Sequence, residues 1–147
     1  MVDEIKLRLA ISADLCFLYN LKKQTLRQHI DNLWGWNEDF QQKYFLNRLK
    51  SRIISVVLLG TKKIGCFILR TFRNWIVVEL IVIAPEFQSK GVGTSLIKSV
   101  ISQSQRENKS LCLHVLKTNE RAKKLYLRLG FVQISESVTG FNMQYIN

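Results

Sequence analysis

The 147-residue sequence predicts a single mixed α/β domain of about seven strands and four helices, in the order β-α-α-β-β-β-α-β-α-β-β. Three observations lead to this prediction. Helical and strand periodicities alternate along the chain. Two β-rich runs flank a short turn, and a buried strand leads through Pro85 into a glycine-rich helix start. The length fits one domain over residues 1–147.

The first third of the chain is predicted to hold one strand and two helices. Glu4–Ala10 alternates apolar and polar residues and predicts a strand. Ser12 with Asp14 indicates the start of a helix, and Asn37 is predicted to cap the next one. The inner face predicted for the first helix is Leu15, Leu18, Tyr19 and Leu26, and that of the second is Phe40, Tyr44, Phe45 and Leu49.

A β-rich region follows. Ile53–Leu59 and Ile64–Arg70 are separated by Gly60-Thr61-Lys62-Lys63, which predicts a hairpin with a four-residue loop. Trp75–Ile83 is apolar on both faces and predicts a central strand that Pro85 ends. The last third predicts a helix, a strand, a helix and two strands: Val92–Glu107, Leu111–Leu116, Asn119 to the left-handed stop at Gly130, Phe131–Ser135 and Phe141–Ile146.

Several properties of the chain narrow its class. Its first ten residues carry acids and alternate, so no signal peptide is expected. No apolar run approaches the roughly 18 residues of a membrane span. Cys16, Cys66 and Cys112 are far apart and odd in number, which predicts reduced thiols in a cytoplasmic protein. No metal is predicted.

The net charge of +11 points to an anionic partner or to a generally basic surface. Residues 40–78 hold eight lysines and arginines and no acid. A polyanionic cofactor would explain this charge by electrostatic steering. Nucleic acid is the other candidate, but the sequence shows no aromatic and basic motif of the RNA-binding kind, so it is not favoured.

The segment with the most specific pattern is Gln88-Ser89-Lys90-Gly91-Val92-Gly93-Thr94. Glycines at a helix start let the backbone turn sharply and approach a ligand closely. Free N–H groups of the first turn and the helix dipole form an anion site suited to a pyrophosphate. The GxxxxGK[ST] pattern of a Walker A loop is absent. A dinucleotide GxGxxG is also absent, because residue 96 is leucine.

Two stretches resemble a known family. Residues 81–94, IVIAPEFQSKGVGT, resemble motif A of the GNAT N-acetyltransferases, and residues 119–131, NERAKKLYLRLGF, resemble motif B. The 25 or so residues between them suit one helix and one strand. The resemblance implies the GNAT fold, with acetyl-CoA as cosubstrate and acetyl transfer to a primary amine.

The resemblance also implies roles for individual residues. The backbone of Ile81, Val82 and Ile83 is expected to bind the acetyl carbonyl and the pantetheine arm, and residues 88–94 the pyrophosphate. Asn119 is expected to bond the pantetheine arm or to cap its helix. Ala122 leaves room for the cofactor. Tyr126 matches the tyrosine near the cofactor sulfur and could protonate the leaving thiolate, although a core aromatic is the alternative.

Acetyl transfer requires a base that removes a proton from the acceptor ammonium before its nitrogen can attack. Glu79 is the one acid between residues 40 and 85, and it lies within an apolar strand, where partial burial would raise its pKa. A structural glutamate is the alternative. His114 is a rival base, since a neutral imidazole could accept the proton. Water-relayed proton transfer remains a third possibility.

The resemblance places the acceptor pocket near the segment between the first two helices, residues 29–39. Trp34, Trp36 and Glu38 are the candidate contacts, because an aromatic and acidic pocket suits a cationic amine. The alternative is that the tryptophans join the two helices.

The favoured function is direct attack of an amine on acetyl-CoA in a ternary complex, because neither motif contains a cysteine that could carry the acetyl group. A catalytically weak CoA-binding module and a basic nucleic-acid-binding protein are the alternatives. The acceptor could be a small-molecule amine or a protein amino group. The family often dimerises, so a homodimer is possible.

Overall fold

A computed structural model describes residues 4–51 and 53–146. The chain divides into two compact units. The first contains the residues up to Ile68 together with Leu80–Val92, and the second contains Leu69–Glu79 and the chain from Gly93 onward. A single domain over residues 1–147 therefore stays a prediction.

The described residues form seven strands and four α-helices in the predicted order. The strands are β1 Ile5–Leu9, β2 Ile54–Leu59, β3 Lys62–Thr71, β4 Trp75–Ile83, β5 Ser110–Leu116, β6 Phe131–Glu136 and β7 Gly140–Tyr145. The helices are α1 Leu15–Leu33, α2 Glu38–Lys50, α3 Val92–Glu107 and α4 Glu120–Leu129. The sheet order is β1-β2-β3-β4-β5-β7-β6. The pair β4–β5 is parallel, whereas β1–β2, β2–β3, β5–β7 and β6–β7 are antiparallel. The predicted fold class is confirmed.

The core of the first unit joins α1 and α2 to β2, β3 and the end of β4. Leu18, Phe45 and Val56 are fully buried there, and Val82 is 1% exposed. The predicted inner face of α1 is confirmed, since Leu15, Tyr19 and Leu26 pack against this core. The face predicted for α2 was partly wrong.

Phe40 and Tyr44 of α2 are 57% and 39% exposed. Their rings stack on each other with centroids 6.0 Å apart, and Arg48 lies over Tyr44 at 4.7 Å. Phe40 and Tyr44 therefore pack against each other on the outer side of the helix. Phe45 is the one large ring of α2 that is buried.

The hairpin of β2 and β3 is tighter than predicted. Leu59 pairs with Lys62, so the loop contains only Gly60 and Thr61 instead of four residues. Gly60 has φ +62°, the left-handed conformation that two-residue hairpin turns require. The two lysines belong to β3, where pairing with β2 outweighs their low strand propensity.

The predicted start of the first helix was also different in detail. Ser12–Asp14 forms a 3-10 turn, and α1 begins at Leu15. The carboxylate of Asp14 accepts the N–H of Ile11 at 2.9 Å and two bonds from Arg8 at 2.8 and 3.0 Å. Lys63 approaches to 2.6 Å. Asp14 is completely buried, so its charge is balanced by these partners.

We expect Asp14→Asn to destabilise the protein by about 3 kcal/mol at pH 7, because two cations lose their buried carboxylate. Arg8 and the other donors hold the pKa of Asp14 well below its ordinary value. The stabilisation is therefore present above the pKa of the unfolded state and is lost as pH falls. Urea unfolding at pH 7 and pH 3 should show a smaller difference between the proteins at pH 3. An equal difference at both pH values would contradict this assignment.

The second unit contains the parallel pair and α4. Trp75–Val78 of β4 pairs with Ser110–Leu113 of β5. Asn119 caps α4 by accepting the N–H of Ala122 at 3.3 Å, and Gly130 ends the helix at φ +107°, as predicted. Among the described residues, no helix has the length and apolar character of a membrane span.

Candidate functional site

The loop between β4 and α3 is held in a defined shape by its own residues. After the 3-10 turn Pro85–Phe87, the side-chain amide of Gln88 donates to the carbonyl of Ile83 at 2.8 Å. Ser89 and Gly91 both have positive φ, +62° and +84°. The backbone therefore turns twice through the left-handed region before α3 begins at Val92.

Two lysines converge on one aromatic ring of the first unit. The ammonium of Lys90, within the loop, lies 5.7 Å from the ring centre of Phe87. The ammonium of Lys62, from the start of β3, lies 5.0 Å from the same centre. The sequence did not predict Lys62 near the loop, because it lies 28 residues before Lys90 and its position depends on strand pairing.

These features suit a bound polyanion. The N–H groups of Val92, Gly93 and Thr94 lie in the first turn of α3, where no helical carbonyl accepts them. The helix dipole and the two lysines add positive potential. A Cβ added at Gly93 would meet only the side chain of Leu125, at 3.8 Å. The donors present therefore fit a pyrophosphate.

Tyr126 of α4 is a buried phenol. It is 6% exposed, and its ring lies 5.8 Å from that of Phe131, centre to centre. Burial raises the pKa of Tyr126 to about 12, so its hydroxyl carries a proton at neutral pH. Asn119 and Ala122, two turns and one turn earlier, are half-buried. The aromatic contact and the retained proton are compatible, so Tyr126 can belong to the core and still donate a proton.

Glu79 is paired with a cation. Its Oε1 lies 3.3 Å from Nη1 of Arg70, and its side chain is 19% exposed. The sequence did not predict this partner. The carboxylate of Glu79 is therefore engaged by the guanidinium of Arg70.

His114 on β5 lies close to Ser137 and Gly140. Its Nε2 lies 3.4 Å from the hydroxyl of Ser137, in the turn before β7. A Cβ added at Gly140 would come within 2.7 Å of the imidazole, so a glycine is needed there to make room. His114 is an exposed residue, and partial desolvation of its ring lowers its pKa, which favours the neutral ring at neutral pH. A neutral ring can accept a proton.

The segment between α1 and α2 brings Trp36 and Glu38 together but leaves Trp34 apart. Trp34 is 52% exposed, so it does not join the helices. Glu38 accepts hydrogen bonds from Lys23 and Tyr19. The Lys23 bond, followed by the Tyr19 bond, holds the pKa of Glu38 below its ordinary value. The indole N–H of Trp36 is buried. It lies near the hydroxyl of Tyr19 and the carboxylate of Glu38 but makes no hydrogen bond of good geometry with either group.

Two of the thiols are unsuited to carry an acyl group. Burial raises the pKa of Cys66 to about 12 and also raises that of Cys112. Both therefore stay protonated at neutral pH, and a protonated thiol is a weak nucleophile. Among residues 4–51 and 53–146, no three histidine, cysteine, aspartate or glutamate side chains cluster as metal ligands.

Comparison with known proteins identifies the class. Residues 16–131 match the Acetyltransferase (GNAT) family, so the chain belongs to this family. No curated protein matches the sequence. The chain is therefore an acetyltransferase that moves an acetyl group from acetyl-CoA to an amine, and acetyl-CoA is its cosubstrate.

Solved structures share the fold at low identity. The PaiA N-acetyltransferase of Thermoplasma acidophilum in complex with coenzyme A is 16% identical, with a TM-score of 0.77, covering 98% of this chain and 99% of that one. Arabidopsis thaliana Naa50 bound to a bisubstrate analogue is 15% identical, with a TM-score of 0.68, covering 97% and 99%. A spermidine N-acetyltransferase chimera from Vibrio cholerae and hSSAT is 22% identical, with a TM-score of 0.72, covering 98% and 96%.

Proposed function

We propose that the chain acetylates a primary amine by direct attack within a ternary complex. The observation that carries the proposal is the loop geometry: Gln88 bonds the carbonyl of Ile83, and Ser89 and Gly91 have left-handed conformations just before α3 begins. In this proposal residues 88–94 hold the pyrophosphate, Ile81–Ile83 bind the acetyl and pantetheine groups, and Asn119 and Ala122 contact the arm. The test is acetyl-CoA titration by calorimetry, followed by a CoA-release assay with amines. Binding without any turnover would instead favour a CoA-binding module.

The proton transfers are assigned to two side chains. His114 takes a proton from the acceptor ammonium, and the freed nitrogen attacks the acetyl carbonyl carbon. The C–N bond forms, the C–S bond breaks, and Tyr126 gives its proton to the departing thiolate. The neutral imidazole and the protonated phenol have the starting states that these steps need. Glu79, paired with Arg70, is the alternative base.

His114→Ala should lower kcat/KM about 100-fold, the lower end of the usual range for general-base catalysis. The wild-type rate should fall on the acidic side of the imidazole pKa, because a protonated ring cannot accept a proton. That acidic limb should vanish in the variant. The measurement is a pH–rate profile of both proteins, with Glu79→Gln as the comparison. Loss of the limb in Glu79→Gln, with His114→Ala unaffected, would move the role to Glu79.

On the acceptor side, we propose that Trp36 and Glu38 contact or position the amine and that the exposed Trp34 lies at the outer edge of this pocket. The hydrogen bonds to Glu38 from Tyr19 and Lys23 support a positioning role. Trp36→Ala and Glu38→Gln should each raise the KM for amine about tenfold and leave acetyl-CoA affinity intact. Steady-state kinetics measure the first and calorimetry the second. Unchanged amine KM in both variants would remove these residues from the pocket.

We infer a cytoplasmic protein, with an acceptor that is a small-molecule amine or a protein amino group. The proposal does not require nucleic acid, and a homodimer is compatible with it.

A further inference from the structure

Lys22 on α1 is a buried cation, and no buried anion among the described residues balances it. The residue is 6% exposed, and its ammonium donates one long hydrogen bond to Oε1 of Gln41, at 3.4 Å. Gln41 is itself 4% exposed. None of the carboxylates of residues 4–51 and 53–146 forms an ion pair with Lys22. An ammonium has three donors, so one long hydrogen bond leaves it poorly satisfied.

The ammonium of Lys22 also lies over two aromatic rings and near the buried thiol of Cys66, which is protonated and uncharged, so none of these groups neutralises it. Its ammonium lies 5.0 Å from the ring centre of Tyr44 and 5.5 Å from that of Phe45. Arg48 lies on the same Tyr44 ring. Burial lowers the pKa of Lys22 to about 8, which shows that the site disfavours its charge. A buried charge that stays uncompensated is costly, and an arriving anion would relieve this cost.

The neighbouring charges give this region a positive balance. The three acids of α1 and α2, Asp31, Glu38 and Asp39, are each paired with a lysine or arginine of the same two helices. Lys22 and Arg48 are further positive charges around α1 and α2. A polycationic acceptor would therefore meet repulsion here, whereas an acceptor with a negative group would be attracted.

We infer that the acetyl acceptor carries a carboxylate, which the Lys22 ammonium and the Gln41 side-chain amide bind together. This inference rests on the proposed function, because it places the acceptor beside α1 and α2. An ammonium donates to one carboxylate oxygen, and the amide N–H₂ of Gln41 can donate to the other. The carboxylate could belong to a free amino acid or to an acidic residue of a peptide.

The test compares matched acceptors that differ by one carboxylate. Tyrosine is compared with tyramine, and a C-terminally amidated peptide with an acidic second residue is compared with its amide counterpart; spermidine is the polycation. CoA release gives kcat/KM for each. Within each pair, we expect kcat/KM to be at least tenfold higher for the acceptor that carries the carboxylate than for its counterpart without it. The amino acid and peptide arms distinguish the two sources.

Lys22→Met should reduce that preference towards unity without lowering kcat/KM for the amine that lacks the carboxylate. Removal of a buried charge should leave the fold intact, and urea unfolding checks this. Lys50→Met, an exposed lysine on α2, is the matched control and should keep the wild-type preference. Gln41→Leu should weaken the preference in the same direction.

Three results would overturn the inference: preference for spermidine, no turnover of any carboxylate-bearing acceptor, or an unchanged preference in Lys22→Met. Each is distinguishable from failure of the proposed function. If the proposed function fails, acetyl-CoA does not bind in calorimetry or no amine at all is acetylated. If only this inference fails, acetyl-CoA binds and amines without a carboxylate are acetylated as well or better.

Discussion

The double variant Gly91→Glu, Gly93→Glu should bind acetyl-CoA at least 100-fold more weakly than the wild type, a loss of about 2.7 kcal/mol. Two carboxylates would stand where the loop and α3 present their N–H groups to phosphate. Gly91 also has φ +84°, which a glutamate adopts only at a cost of about 1–2 kcal/mol. At Gly93 a side chain meets only ordinary contact with Leu125, so the charge dominates there. Calorimetric titration of acetyl-CoA measures the loss.

The control for this variant is Gly35→Glu. Gly35 has φ +86°, close to that of Gly91, and a Cβ there meets nothing within 4 Å. It therefore introduces the same backbone strain as Gly91→Glu, together with one added carboxylate, outside the phosphate loop. Acetyl-CoA affinity should stay near the wild-type value. An equal loss in both proteins would show that strain or net charge, and not the loop, accounts for the effect.

Tyr126→Phe should lower kcat about 100-fold and leave the affinity for acetyl-CoA nearly unchanged. The variant removes one hydroxyl and keeps the buried ring and its contact with Phe131. Because the pKa of Tyr126 is about 12, the wild-type hydroxyl is protonated throughout the neutral range and can supply the leaving thiolate with its proton. Steady-state kinetics with saturating amine measure kcat.

Tyr145→Phe is the matched control, since Tyr145 also contacts the ring of Phe131, at 5.6 Å between centres. It should keep the wild-type kcat. If both variants retain full activity, Tyr126 is a core aromatic and the thiolate leaves without its help. If Tyr126→Phe loses acetyl-CoA binding as strongly as kcat, the hydroxyl acts in binding instead.

The fold was predictable because its signals are local in sequence. Asn37 and Asn119 cap their helices through bonds to residues three positions later, and Gly130 ends a helix by its own backbone angle. The bounds of β4 and α3 also agree with the prediction, because Pro85 and the glycines interrupt the regular patterns between them. Such features depend on neighbouring residues alone, and the sequence displays them directly.

The partners of the site residues were not predictable, because they come from distant parts of the chain. Arg70 beside Glu79 depends on how β3 and β4 approach each other. Ser137 beside His114 depends on β7 pairing with β5. The sequence indicated an acidic acceptor pocket at Trp36 and Glu38, but it did not reveal that Lys23 bonds the carboxylate of Glu38. These contacts change the chemistry expected of each residue.

The division of the chain into two interleaved units has a consequence for its synthesis. The residues up to Ile68 and the segment Leu80–Val92 belong to one unit, while Leu69–Glu79 and the chain from Gly93 belong to the other. During translation, the first unit lacks part of its chain until residue 92 has emerged. No single cut of the polypeptide separates the two units, so fragments produced by one proteolytic cleavage should each be structurally incomplete.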